Sequence, residues 1–261
     1  MLVRRSIDYF RQHDWFAVFV ELFVVVVGLL LAFQIDRWWE QRGEQLQEVE
    51  YVARLIIYVE SDIPVIQLAI ELAKLRKGMA DVLMRVAETP TAANEHPMHF
   101  IAAVQQAAFT YSPNLTNHTF DDMRSTGNLR LLRDAEIKKA LFSYYNFDQD
   151  QKQYRPLQFL SESRHFELAA GILSHDQARL IQDTLDIVQP GELDNIDRSL
   201  LKPDEIQATV ERFLDNEALI EWLPETRQLQ LEQLLVNEIR LDKARDLLKL
   251  LRDYSETLEL H

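Results

Sequence analysis

The sequence predicts an all-α protein: a single N-terminal transmembrane helix that continues into a helical bundle with long antiparallel, coiled-coil-like first and last helices. Three observations predict it. One apolar run, Trp15 to Ile35, is long enough to cross a bilayer. Stripes of Leu, Val and Ile at heptad-like steps follow that run and recur at the C-terminal end. Only 6 Gly and 8 Pro punctuate the chain, and no alternation of apolar and polar residues is long enough to suggest a strand.

The apolar run would measure about 31 Å as a helix, close to the ~30 Å of a hydrocarbon core. Trp15 at one end and Trp38 and Trp39 past the other are placed as interface anchors, because indole rings favour the headgroup zone. No small-residue cleavage site follows the run, so an uncleaved anchor is expected rather than a signal peptide. Glu21 is the exception within it, since a carboxylate at mid-helix costs about 2.5–3.5 kcal/mol. Helical geometry puts Ala17, Glu21, Gly28 and Ala32 within an arc of about 60°. Gly28 and Ala32 form a small-xxx-small pair that lets another helix approach, so these four are the expected helix-packing face. A shallow, interfacial Glu21 relieved by a proton or water is the competing account.

The next stretch, 36–87, reads as a stalk helix that continues outward. Leu46, Val49, Ala53 and Ile56 form one stripe, and Leu68, Leu72, Leu75, Met79, Val82 and Val86 a second. Pro64 between them predicts a kink or restart, and Pro90 an end. A helix over 97–110 follows, then the loop SPNLTNHT. Thr119 and Asp122 have capping-box spacing, Gly127 suits a left-handed stop, and Asp134 suits the cap of AEIKKALFSYYN. That helix should bury Ile137, Leu141 and Tyr144 or Tyr145, and extend toward Pro156. Residues 157–188 give one or two helices, Pro190-Gly191 a turn, and 192–202 an irregular stretch. Pro203-Asp204-Glu205 suits a helix start.

The last helix is expected over 224–258. Leu234, Leu241 and Leu248 recur at seven, with Asn237, Ala244, Leu251 and Leu258 in the second seam position. Its natural partner is the stalk helix, which gives an antiparallel pair. An intermolecular coiled coil is the alternative, because a seam pattern does not name its partner. The resulting organisation is a cytoplasmic arm (1–14), a transmembrane helix (15–35) and an acidic helical ectodomain (36–261). The ectodomain comprises the stalk (36–87), middle helices (94–202) and C-terminal helices (203–261).

Charge is lopsided. Arg4, Arg5 and Arg11 balance Asp8, Asp14 and Glu21 in residues 1–35, so the net charge of −14 sits on the remainder. Such a surface repels phosphate backbones and argues against nucleic-acid binding. The absence of Cys excludes disulfides, thiolate nucleophiles and Cys-ligated metals. Basic residues flank both ends of the span, with Arg4, Arg5 and Arg11 on one side and Arg37, Arg42 and Arg54 on the other. An N-terminus in the cytoplasm is the expected orientation.

Candidate chemistry is sparse, and no catalytic, cofactor or metal site is predicted. Glu95, His96 and His99 lack a third metal ligand beyond a proline-broken helix start. His165 and Glu167 have deaminase-like HxE spacing without the cysteines that such a zinc site needs. No phosphate-binding glycine loop or nucleophile elbow occurs. The aromatics Phe142, Tyr144, Tyr145 and Phe147 read as core, and Arg124, Arg130 and Arg133 as partners of nearby acids.

Two stretches, Glu21–Glu40 and Thr119–Tyr145, carry a resemblance. The matching positions are Glu21, Gly28, Gln34 and Trp38 in the anchor. In the second stretch they are Thr119, Met123, Ser125, Gly127, Asn128, Leu129 and Leu131. This pattern resembles a widespread bacterial family of single-pass membrane proteins, a domain family of unknown function. The resemblance implies a helical ectodomain behind an N-terminal anchor; with the orientation expected from the flanking basic residues, the anchor would lie in a bacterial inner membrane and the C-terminal domain in the periplasm. It implies no activity. Arg37-Trp38-Trp39 departs from it, since relatives often carry Asn residues around a single Trp.

The expected function is non-enzymatic. A membrane-anchored scaffold or interaction protein would act through helix–helix contacts, with itself (a homo-oligomer) or with a membrane-protein partner. The alternative is a sensor-like ectodomain that binds a small ligand and signals through a separate membrane partner. An enzyme with an unrecognised helical site is the most remote reading.

Overall fold

The fold comes from a computed structural model, which describes residues 15–184 and 202–259. The arm 1–14, the turn at Pro190-Gly191 and the stretch 192–202, apart from Lys202, lie outside those residues. The described residues form helices α1 (Trp15–Glu88), α2 (Pro97–Gln106), α3 (His118–Thr126), α4 (Ala135–Lys152), α5 (Arg155–Ala169), α6 (His175–Thr184), α7 (Pro203–Leu214) and α8 (Glu217–Glu259). Short 3₁₀ turns occupy Pro90–Asn94 and Asn128–Arg130, and no strand occurs among the described residues.

The chain divides into two compact units, Met1–Val52 and Ala53–His261. The boundary falls inside α1, after Val52. Residues 36–43 and 45–47 are exposed, so they group with the apolar segment and not with the bundle.

Pro64 does not break α1, which is one helix from Trp15 to Glu88. Pro64 and Glu60 are both exposed. The carbonyl that the proline leaves without its helical donor, that of Glu60, therefore lies at the surface, where a lost bond is tolerated.

Within the second unit α1 and α8 run antiparallel. Arg252 pairs with Glu60, and Arg227 Nε lies 2.7 Å from Asp81 Oδ1. Residue number rises along one helix as it falls along the other. Burial pushes the Asp81 carboxyl up, but Lys77 and Arg227 outweigh it and hold it below its usual value.

The buried positions correct the expected stripes. On α1 they are Leu55, Asp62, Ala69, Arg76 and Leu83, interleaved with Val59, Ile66, Ala73 and Ala80. Both series step by seven without interruption. The predicted Leu46 and Val49 are exposed, as are Ala53 and Leu68, while Ile56, Leu75 and Val82 are half-buried; Leu72, Met79 and Val86 are buried. On α8 the second predicted position holds for Asn237, Ala244 and Leu251. Of the predicted leucines, Leu241 and Leu248 are buried and Leu234 is half-buried, and Thr226, Gln233, Arg240 and Leu247 form a further buried row at steps of seven.

Helix α8 starts seven residues before the expected Pro224. Asn216 is the reason: its Oδ1 accepts the Leu219 N–H at 3.0 Å, and its Nδ2 donates to the Leu168 carbonyl at 2.7 Å. Helix α2 ends at Gln106, four residues short of the expected Thr110. Helix α3 starts at His118, with Asn117 at the cap position, so Thr119 lies inside the first turn and not at a capping box. Helix α4 stops at Lys152, and α5 begins afresh with Pro156 in its first turn. The 157–188 region holds two helices. Between them Gly171 takes a left-handed φ of 84°. Ser174 and Gln177 then form a reciprocal capping box, at 3.0 and 3.2 Å.

Gly127 ends α3 with φ 77°, as expected. Asp134 caps α4 as expected: its Oδ1 accepts the N–H groups of Glu136 at 2.6 Å and Ile137 at 3.3 Å. Asp134→Ala should lower stability by about 1 kcal/mol, checked by the thermal midpoint of helical circular dichroism.

The apolar core gathers the end of α1, helices α2, α6 and α7, and the start of α8. Phe100 meets Phe213 edge-on at 5.6 Å among Leu83, Ile101, Val210 and Leu223.

Candidate functional site

Two features stand out, one in each unit. In the first unit, one helix near the N-terminus is long and apolar enough to cross a membrane, with mean hydropathy 2.2 and none of its most apolar window buried. Apolar side chains point all round it; Phe19, Leu22, Val24, Leu30 and Phe33 are all more than half exposed. An amphipathic surface helix would instead show one wet face.

The expected packing residues sit on this helix. Glu21, Gly28 and Ala32 are exposed, and a Cβ added at Gly28 would meet nothing within 4 Å. The backbone of Ala17 lies in the same helix; its side chain and that of Trp15 are outside the described residues. Trp38 and Trp39 are exposed and meet edge-on at 5.2 Å, with the Arg42 guanidinium 5.6 Å from the Trp38 ring.

In the second unit the notable feature is a buried polar seam. Helix α8 buries leucines at both ends, Leu219 and Leu223 at one and Leu247 and Leu251 at the other. Between them the seam positions are Thr226, Gln230, Gln233, Asn237 and Arg240, all nearly inaccessible. Buried polar groups demand partners, and the neighbouring elements supply them.

Toward α4, Arg240 Nη2 lies 3.3 Å from Asp148 Oδ1, and the other Asp148 oxygen receives Lys152 at 2.8 Å. Arg240 also donates to the Asn237 side-chain oxygen, and Asn237 Nδ2 donates to the Gln233 carbonyl at 2.9 Å. One turn before Asp148, the Tyr144 hydroxyl donates to Asp62 Oδ2 at 2.8 Å, and the Thr116 N–H donates to Asp62 Oδ1 at 3.0 Å. Burial raises the Asp62 carboxyl above its usual range; those two donors oppose the shift, and the Asp148 charge adds to it. Burial likewise raises the Tyr144 and Tyr145 hydroxyls. It lowers the Arg240 guanidinium, against the pull of Asp148.

Toward α5, His165 is fully buried. Its Nε2 faces the Val104 carbonyl at 3.2 Å, and its Nδ1 faces the Thr226 hydroxyl at 3.1 Å. The carbonyl can only accept, so Nε2 carries the proton and Nδ1 accepts from Thr226. Burial lowers this imidazole to about 4. Gln230 Nε2 donates to the carbonyls of Ala107 and Phe109, both at 3.0 Å. Arg76 on α1 is buried, which lowers it to about 10 against the opposing charge of Glu162, so it is still cationic at neutral pH. Glu162 accepts the Thr110 hydroxyl at 2.9 Å.

This arrangement positions helices. Asp148 and Arg240 neutralise one another, and most remaining donors end on backbone carbonyls. Gln233 Nε2 and Arg240 Nε have no hydrogen-bond partner among the described residues. A network satisfied this incompletely specifies one pairing of helices more than it adds stability.

The other residues singled out by sequence fall as follows. His96 and His99 meet edge-on at 5.3 Å, and no group of three His, Asp or Glu among the described residues could hold a metal ion. His165 points into the core while Glu167 is exposed beside Arg164, so the HxE pair is not brought together. Tyr144 and Tyr145 are both buried, Phe142 is partly exposed, and Phe147 lies under Arg240 and Lys243. Arg124 pairs with Asp121 at 3.1 Å.

In the second familiar stretch Thr119, Met123 and Leu131 are buried. Asn128 and Leu129 are half-buried, and exposed Ser125 donates to the Asp122 carbonyl at 3.1 Å. The segment therefore serves packing: Phe120 stacks on Tyr145 at 4.6 Å and seats α3 on α4. Sequence reasoning placed Asn237 on the seam but missed Thr226, Gln230, Gln233 and Arg240. The signal was the seven-residue recurrence of Thr226, Gln233 and Arg240 beside Gln230 and Asn237. No family model, curated protein or solved structure matches this chain.

Proposed function

We propose that this chain is a single-pass, membrane-anchored helical interaction protein without catalytic activity. In this reading it lies in a bacterial inner membrane, with the N-terminus cytoplasmic and the acidic bundle periplasmic. The resemblance of its anchor and its Thr119–Tyr145 segment supports that placement. The observation that carries the reading is the uncovered apolar helix. Each of its large side chains would forgo about 1.5–3 kcal/mol if left in water, and a bilayer is the solvent that removes this penalty on every face at once.

Within lipid Ala17, Glu21, Gly28 and Ala32 recur at spacings that share a face. A partner helix there would shelter the carboxylate and approach closely at the glycine. Crosslinking in native membranes tests this. The wild type should yield a specific adduct, Gly28→Leu should lose most of it, and Glu21→Ala should weaken association while membrane localisation persists. A wild type that stays monomeric and partner-free sinks the reading.

A further inference from the structure

One stripe that the sequence singles out stays bare in the first unit. Leu46 and Val49 are 68% and 40% exposed, and Trp39, two turns before Leu46, is 63% exposed. They lie on the same helix as the apolar span. Ile35, Trp39, Arg42, Leu46 and Val49 follow one another at alternating steps of four and three. The series runs back through Ala32 to Gly28 without a skip. Steps that average 3.5 keep a row of residues facing a partner helix. The row that would meet a partner in lipid therefore runs on into water, for about 21 Å from Ile35 to Val49 at about 1.5 Å per residue.

Two properties of the row point to its occupant. The first is its length. Lipid covers only the part within the bilayer, and a soluble protein only the part beyond it. One occupant for the whole row is itself a membrane-spanning helix that continues unbroken into water. Helix α1 of another copy is such a helix, and identical indole anchors at Trp38 and Trp39 set it at the same depth, so each position meets itself.

The second property is charge. Parallel copies bring like residues together, and like charges side by side are costly. Between Asp36 and Val49 the charged residues are Asp36, Arg37, Glu40, Arg42, Glu44 and Glu48. All but Arg42 fall on the other side of the helix, at about 100° per residue. The Arg42 guanidinium lies over the ring of its own Trp38, 5.6 Å from its centre, at the flank of the row. A partner of opposite charge would be met by charges on this side; an identical one requires their absence.

We infer that α1 docks against α1 of a second copy, parallel and in register, along the row from Gly28 to Val49. The inference deepens the interaction reading and rests on it, since it names the partner of the anchor face. Anchoring in one membrane raises the effective concentration of the two copies, so a narrow row suffices.

The absence of cysteine makes the test direct. Trp39→Cys, Arg42→Cys, Leu46→Cys and Val49→Cys are introduced one at a time into the full chain. Arg37→Cys, Glu40→Cys, Gln41→Cys and Gln47→Cys, all at exposed positions off the row, are the controls. Native membranes are oxidised with copper phenanthroline. Disulfide-linked dimers should peak at the four row positions, several-fold above the controls. In a chain carrying Val49→Cys, adding Leu46→Glu or Leu46→Lys should cut the yield several-fold. Co-expressing those two variants should restore it, because a symmetric contact places the two position-46 side chains together. Monomers at every position overturn the inference, as does a yield that is flat along the helix or indifferent to charge at position 46. Adducts with another protein that disappear in Gly28→Leu also overturn it, and leave the anchor reading standing. Dimers at the row positions that persist in Gly28→Leu uphold the second copy beyond the lipid and overturn the anchor reading instead.

Discussion

Replacing Asp148 with alanine is expected to destabilise the bundle by about 3–5 kcal/mol, because it strands a buried cation. The side chains of Arg240 and Asp148 are 3% and 7% exposed, so water cannot stand in for the lost carboxylate. Arg240 would keep its hydrogen bond to Asn237, itself bonded to Gln233, and the Phe147 ring beneath it, but no counter-charge of its own. Removing both charges reverses the sign of the argument. Asp148→Leu with Arg240→Met deletes the desolvation penalty along with the attraction and should recover most of the loss. The measurement is the guanidinium midpoint of the full chain in detergent, followed by helical circular dichroism. A single-variant loss below about 1 kcal/mol would place the pair among screened surface contacts, against the burial seen here.

The second large effect is a loss of stability on acidification, set by His165. Its folded pKa of about 4 lies below the ordinary 6.5 because the ring is buried. An unfolded chain therefore takes up this proton first as pH falls. Stability due to the neutral ring is present above 6.5 and is lost as pH falls toward 4, by about 3 kcal/mol in all. Asp62 and Glu162 act in the opposite direction. Both are raised by burial, so protonation at low pH relieves a penalty that they impose at neutral pH. The net curve mixes the three, and a difference between variants isolates one. His165→Gln keeps a polar group beside Thr226 and Val104 but cannot titrate. Between pH 7.5 and 4 the wild type should lose about 3 kcal/mol more than this variant. Parallel curves would mean that the ring takes up its proton as readily in the folded state as in the unfolded one, and that burial does not lower it.

Sequence legibility followed the kind of signal available. The apolar run, the caps at Asp134 and Gly127 and the start at Pro203 each depend on local chemistry, and each is where the residues put it. The pairing of first and last helices was also legible, because both ends of the chain repeat at seven. What failed was the identity of the seam. Weighting by leucine led to Leu46, Leu68 and Leu234, whereas the buried rows run through Ala69, Ala73, Ala80, Asp62 and Arg76. Small residues let helices approach, and buried charges count as core once partners exist. Those partners, Tyr144 and Thr116 for Asp62 and Glu162 for Arg76, come from distant segments that no local pattern links to α1. Pro64, read as a kink or restart, and Pro224, read as a helix start, misled for the converse reason: both lie inside continuous helices, α1 and α8.

The antiparallel pairing of α1 with α8 also sets an order of events during synthesis. Glu60 must wait for Arg252, and Asp81 for Arg227. The ribosome makes about 5–20 residues per second, so the seam of α1 stays uncovered for on the order of ten seconds after it emerges. Helical bundles with neighbouring partners close early, through short loops. Here α1 is completed by α8, far along the chain. Its alanine-rich, charge-bearing seam is less adhesive than a row of leucines would be, which suits a surface that must remain bare until α8 emerges.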